Sequence, residues 1–273
     1  MDRHAPEALC DSAESAYVDS KALIQKWHGQ GRALYAITPR FAPTSTPEQL
    51  ERAGQLKAEF PDVYVHTHLS ENKDEIAWVK DLFPHQNGYL DVYHHYGLTG
   101  QRSVFAHCVH LEDTEWKCMH DTNSAIAFCP TSNLFLGSGL FPLKKTWDQQ
   151  VKVGLGTDIG AGTSFSLLQT VNEAYKVQQL QGDKLSAYES LYHATLGGAK
   201  ALDLDDKLGN FTVGKEADFV VLNLKATALQ QLRQSRAKSI EDSLFALFTM
   251  GDDRNIEATY IYGQKAYQQN QSI

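Results

Sequence analysis

The chain lacks a long apolar run, paired cysteines and any concentrated block of positive charge. No apolar stretch approaches the ~20 residues that span a bilayer, so no membrane partner is expected. The first residues, Met1-Asp2-Arg3-His4-Ala5-Pro6-Glu7, are polar and lack the apolar core of a secretory signal. Only Cys10, Cys108, Cys118 and Cys129 occur, each isolated. Without a CxxC pair, neither a zinc ribbon nor a thioredoxin-like redox pair is supported. So few cysteines in 273 residues suit a reducing compartment, and the cytosol is the expected location. The longest basic run is Lys144-Lys145 and the net charge is −8. A nucleic-acid surface needs clustered Lys and Arg, so none is expected here. A neutral free nucleobase needs no basic field and stays open as a ligand.

What is present is an alternation of short apolar runs with amphipathic stretches. The runs are Ala33–Ile37, Val63–Val65, Ser103–Ala106, Ala125–Phe128 and Val151–Leu155. Their length and their Gly, Pro or polar boundaries suit buried parallel strands. Leu23, Ile24 and Trp27 share one helix face, and Gly29 can end that helix. Thr46-Pro47-Glu48-Gln49 reads as a capping box with proline at the first helical position, ahead of Leu50, Ala53 and Leu56. Ile76, Val79 and Phe83 form another stripe, stopped by Pro84. Ser186 to Glu189 is a further capping box, before Leu191, Ala194 and Thr195. Strand–helix alternation predicts a parallel sheet with helices outside. Five such units are too few for an eight-stranded barrel, so a doubly wound sheet is the competing reading. After about residue 207 the chain becomes turn-rich, over Leu208–Asp218. Phe219–Leu222, Ala258–Tyr262 and Lys265–Tyr267 then read as strands of a small β domain, with a helix over Ile240–Met250.

Polar, metal-competent residues follow the apolar runs: Thr38 and Arg40, His66 and His68, His107, Cys129 and Asn133, then Asp158. In a β/α barrel such positions converge at the C-terminal ends of the strands. One such histidine means little; several strand ends in register mean much more. His66-Thr67-His68 puts two imidazoles on one face of a strand, a spacing that suits chelation. Glu71 lies in the loop that follows, either as a proton shuttle or as a charge favoured by the next helix dipole. His107 ends its run, whereas His110 lies in the loop beyond. Asp158 closes Gly154-Leu155-Gly156-Thr157-Asp158 and reads as a hard metal ligand or as a helix cap. His94-His95 point in different directions on a helix and do not make a pair. The other histidines, His193 among them, read as surface or packing residues. Cys129 has no base beside it and reads as a buried structural thiol.

Val65–Asn72 (VHTHLSEN), Ala106-His107-Cys108, Cys129–Leu134 (CPTSNL) and Gly154–Asp158 (GLGTD) resemble, in that order, the metal-dependent deaminases of the amidohydrolase superfamily. Leu208–Leu222 resembles the segment where those enzymes enter their small β domain. Thr38-Pro39-Arg40-Phe41, Thr67–Asn72 and Thr195–Ala199 are more particular and resemble the guanine deaminases among them. The resemblance implies an α/β fold: part of a TIM-type β/α barrel over 1–207, and part of a small β (composite sandwich) domain over 208–273. It implies a hydrolase that deaminates guanine to xanthine. One Zn2+ per subunit is implied, with iron the alternative because His and Asp serve both; a homodimer is common in the family. By the same resemblance His68 and Asp158 are metal ligands, and His107 contacts the metal's water or the reacting centre. Glu71 shuttles protons, and Arg40 and Phe41 hold the purine. His68, not His66, aligns with the ligand. Two further ligands belong to an HxH motif on a first strand, and the residues ahead of Ala33 hold none. Strand one and its neighbours are therefore expected to lie outside this chain, which by itself should show little or no activity. A non-catalytic or self-associating fragment, and a deaminase of another purine or of a triazine, are the rival expectations.

Overall fold

A computed structural model of the chain describes residues 1–269. β1 (Ala36–Ile37), β2 (Tyr64–Leu69), β3 (Ser103–His107), β4 (Ala125–Phe128) and β5 (Lys152–Leu155) form one sheet in sequential order. The pairings β1–β2, β2–β3 and β3–β4 are parallel, with helices between the strands, as the alternation predicts. β6 (Phe219–Leu222), β7 (Ile256–Ile261) and β8 (Gln264–Gln268) form a separate antiparallel sheet. β7 and β8 are joined by Tyr262-Gly263, both left-handed (φ 52° and 74°). That is the backbone of a tight hairpin turn.

Two strands differ in extent from the sequence reading. β1 is shorter than Ala33–Ile37 because the residues before it are taken up by a turn. Gly29 N–H donates to Ala33 O, Ala33 N–H to Gln30 O, and Tyr35 N–H to His28 Nδ1. β2 is longer than Val63–Val65, because Val65, Thr67 and Leu69 alternate onto a buried face. His66 and His68 therefore lie within the strand, not beyond it.

The chain divides into two compact units, one of 1–127 with 145–152, the other of 128–144 with Val153 onward. In the first unit the Pro47–Glu59 helix buries Leu50, Ala53 and Leu56, the predicted stripe. Its expected capping box is only half formed. Thr46 accepts from Gln49 N–H, but the Thr46 N–H donates to Asp2 Oδ1 at 2.8 Å and not to the Gln49 side chain, which donates to Asp11. Of the predicted Leu23-Ile24-Trp27 face only Ile24 is buried. Gly54 sits inside the Pro47–Glu59 helix, where Gly costs about 1 kcal/mol against Ala. A Cβ there would lie 2.0 Å from the Tyr96 carbonyl oxygen, so the close backbone approach requires glycine. Gly54→Ala is expected to destabilise the fold by about 1–3 kcal/mol, despite its better helix propensity. Urea melts of the two proteins check this, and a more stable Gly54→Ala contradicts it.

In the second unit Leu168, Val171, Ala187, Leu247 and Phe248 form one apolar cluster. The Ser186/Glu189 capping box is present. The Ala187–His193 helix buries Ala187, Ser190 and His193. Burial pushes the His193 imidazole below its ordinary 6.5. Protons thus bind the unfolded chain more tightly than the folded one. The resulting stability is present above about 6.5 and is lost as pH falls through the lower folded value. Stability measured by urea melting should fall on acidification below about pH 6.5, and His193→Gln should flatten that slope. An unchanged slope would rule the assignment out.

Candidate active site

The site grows from the C-terminal ends of β2 and β3. On β2 the buried residues alternate with His66 and His68, so both imidazoles share one face. Each is tied by its Nδ1 to a backbone carbonyl: His66 to Val104 O at 3.0 Å, His68 to Arg40 O at 2.6 Å. A carbonyl oxygen only accepts, so each Nδ1 carries the proton and each Nε2 keeps its lone pair. Carbonyl support of this kind orients histidine ligands in metal sites. The neighbours separate the two. His66 is exposed. The His68 ring stacks on that of His107, with centroids 5.3 Å apart and planes 23° apart, and meets the edge of Phe41 at 6.3 Å.

The backbone leaves the sheet abruptly here. Ser70 (φ 48°), His107 (φ 73°) and Cys108 (φ 52°) are all left-handed, a conformation that costs non-glycine residues about 1–2 kcal/mol each. Strain of this kind clusters at functional sites. Cys108 N–H donates to Leu69 O, and His110 N–H to Ser70 O, which lock the two strand ends together. His107 is the last residue of β3 and is buried, with Nε2 3.8 Å from the Glu71 carboxylate. His110 lies in the loop beyond, as the sequence reading has it.

Glu71 stands just outside the Lys73–Leu82 helix, whose cap is Asn72. Its amide and that of Asn72 both donate to Glu75 Oε2, at 3.2 and 3.3 Å. Tyr89 donates to the other Glu75 oxygen at 2.7 Å. Burial raises the Glu75 carboxyl above its ordinary value, against these hydrogen bonds, which favour the charged form. The helix dipole is thus already served by Glu75, and the Glu71 side chain is turned towards His107.

The loop after β1 supplies Arg40 and Phe41. The Arg40 guanidinium lies 4.6 Å above the Phe41 ring, and Trp78 meets Phe41 edge-on at 6.2 Å. Five of the six site residues expected from the sequence thus gather in the first unit: Arg40, Phe41, His68, Glu71 and His107. Sequence reasoning misses Glu75, Trp78, Tyr89 and Tyr93. Only Glu75 carries a signal, the Asn72-x-x-Glu75 capping box.

Asp158 belongs to the second unit, three residues past β5. It too is left-handed (φ 47°). Gly162 N–H donates to its carbonyl at 2.6 Å, and a Cβ on Gly162 would lie 1.8 Å from Thr157 O. The next helix, Leu167–Leu180, has Ser166 as its cap, so Asp158 is not a helix cap. A Cβ on Gly154 would lie 2.8 Å from Gly198 Cα. That approach accounts for glycine at 154; a Cβ on Gly198 itself would meet only His193 O, at 3.7 Å. Cys129 is a buried free thiol at the start of the Pro130–Phe135 helix. His68, His107 and Asp158 each offer an atom fit to bind a metal: an imidazole nitrogen from the first two, a carboxylate oxygen from the third.

The sequence pattern of the Amidohydrolase family matches residues 5–266. The guanine deaminase of Escherichia coli (strain K12) is 66% identical over 270 residues, a match covering 99% of this chain and 62% of that protein. Its solved structure superposes with a TM-score of 0.98 over 99% of this chain and 63% of that one. A guanine deaminase from C. acetobutylicum, solved with guanine bound in its active site, is 32% identical. It superposes with a TM-score of 0.88 over 98% of this chain and 64% of that one. An adenosine deaminase from Xanthomonas campestris, solved with bound zinc, is 25% identical. It gives a TM-score of 0.84 over 97% of this chain and 58% of that one. The chain spans about three-fifths of the length of these relatives.

Proposed function

The chain belongs to the amidohydrolase family, and from that premise we propose that it acts in the hydrolytic deamination of guanine. A C–O bond forms from water, the exocyclic C–N bond breaks, and the products are xanthine and ammonia. The observation that carries this reading is the grouping of the stacked His68–His107 pair, the Glu71 carboxylate beside His107, and the Arg40–Phe41 platform. Residues 1–207 are read as the catalytic β/α part and 208–273 as part of the small β domain.

The donors fit a divalent ion: the His68 lone pair is directed away from its carbonyl anchor, and Asp158 adds a hard oxygen. His68 and Asp158 hold one Zn2+ per subunit in this reading; iron suits the same donors, and the zinc in the X. campestris relative favours zinc. When bound, such an ion brings the pKa of a water to about 7, so that a nucleophile is available at neutral pH. Glu71 takes the water's proton and delivers it to a purine ring nitrogen, then assists departure of the amine as ammonia. Asp158 serves as a second proton acceptor, and His107 donates to the developing oxygen at the reacting carbon. Phe41 stacks on the purine face. Arg40, resting on that ring, donates to the guanine O6 and N7 acceptors. Adenine carries an amine where guanine has O6, so the same donors reject it.

All four cysteines are free thiols, and among the described residues no helix is long and apolar enough to cross a membrane; we place the protein in the cytosol, acting on a small molecule. A homodimer is the assembly proposed, by likeness to the family. Ammonia release from guanine, adenine and an aminotriazine in added Zn2+ tests the reading. It is measured on the chain alone and on the chain joined to the part of the E. coli relative that it does not match. Guanine should turn over at least about 100-fold faster than adenine. Adenine or the triazine outpacing guanine would overturn the proposal.

A further inference from the structure

Tyr93 is fully buried, on the Tyr89–His95 helix, and its hydroxyl meets three groups. It accepts from Ala42 N–H at 2.9 Å, donates to the His68 carbonyl at 2.9 Å, and lies 3.1 Å from Thr67 Oγ1. Thr67 Oγ1 donates in turn to Arg40 O at 3.2 Å. That same carbonyl oxygen receives His68 N–H at 3.3 Å and His68 Nδ1–H at 2.6 Å. One phenol therefore pins the end of β2 to the Arg40–Ala42 loop. Ala42 and Thr67 are buried, so without the hydroxyl the Ala42 amide loses its partner in a place water does not reach, which is unfavourable. The least costly relief is a shift of the loop, which carries the Arg40 carbonyl away from His68. Burial keeps Tyr93 protonated by raising its pKa well above the ordinary value, so it remains a donor throughout the working range.

We propose that Tyr93 is a positioning residue. By fixing the Arg40 carbonyl it holds His68 in the Nδ1–H tautomer, which presents Nε2 outward, and it couples that ring to the Phe41 platform. This deepens the reading of His68 as a metal ligand and rests on it. A core tyrosine that merely satisfies its hydroxyl makes no such prediction. The neighbouring Tyr89 packs its ring 5.7 Å from that of Tyr93 and donates its hydroxyl to Glu75.

Two-bond 1H–15N spectra of histidine-labelled protein at about pH 8, where imidazoles are neutral, read the tautomer directly. Wild type should show His68 as Nδ1–H; Tyr93→Phe should show a mixture with Nε2–H. Zn2+ affinity should fall about 10–100-fold in Tyr93→Phe. If Tyr93→Phe fails to fold, Thr67→Val, which removes the hydroxyl that donates to the Arg40 carbonyl, should give the same mixture. An unchanged Nδ1–H tautomer in the folded variant overturns the proposal. His68→Ala separates the two levels: undiminished Zn2+ affinity there sinks the reading of His68 as a ligand, while the tautomer alone decides the role of Tyr93.

Discussion

In the chain joined to the part of the E. coli relative that it does not match, Glu71→Gln is expected to lower guanine turnover by about 10²–10⁴-fold, the range for loss of a positioned proton carrier. Gln keeps the shape and hydrogen-bonding reach of Glu but cannot accept and release a proton. The backbone at Glu71 is held by Glu75 through the main-chain amides, so the substitution leaves the loop where it is. The loss should fall on kcat with little change in KM, because the missing interaction exists only in the transition state. Equal thermal melting of the two proteins would show that the fold is intact. Turnover within tenfold of wild type would mean that the proton travels by another group.

His68→Ala should lower Zn2+ affinity by more than about 100-fold, whereas His66→Ala should leave it within about twofold. The contrast is demanding, because the residues are two apart on the same strand face and both rest their Nδ1 on a carbonyl. Their surroundings differ. His66 is anchored within the sheet to Val104 and faces solvent, while His68 stacks on buried His107 beside Phe41. Outer partners that fix a ligand ring typically change affinity 10–100-fold, and removal of the ligand itself should cost more. Equal losses in the two variants would identify the His66–His68 chelate, the reading that strand spacing alone suggests.

Much of this was legible because the signals are local. Ala125–Phe128 is a strand of the predicted extent, and Ile240–Met250 a helix of the predicted extent, since each rests on its own periodicity and boundaries. β1 was over-read because apolar Ala33 and Leu34 are consumed in a turn whose hydrogen bonds no pattern announces. β2 was under-read because its histidines look polar, although the alternation of Thr67 and Leu69 runs through them. The Thr46 box is half formed because Asp2, 44 residues away in sequence, accepts the Thr46 N–H. The same limit hid Tyr93 and Tyr89: their roles lie in hydroxyls that reach segments far off in sequence. The left-handed turns at His107 and Asp158 were equally out of sight, because neither residue is a glycine.

The most direct test is an anomalous difference map at the zinc edge from crystals of the protein grown with Zn2+. The account predicts one dominant peak at bonding distance from His68 Nε2 and an Asp158 carboxylate oxygen, with His66 free of metal. A peak on His66, on His94-His95, or anywhere that leaves His68 and Asp158 without the ion would contradict it.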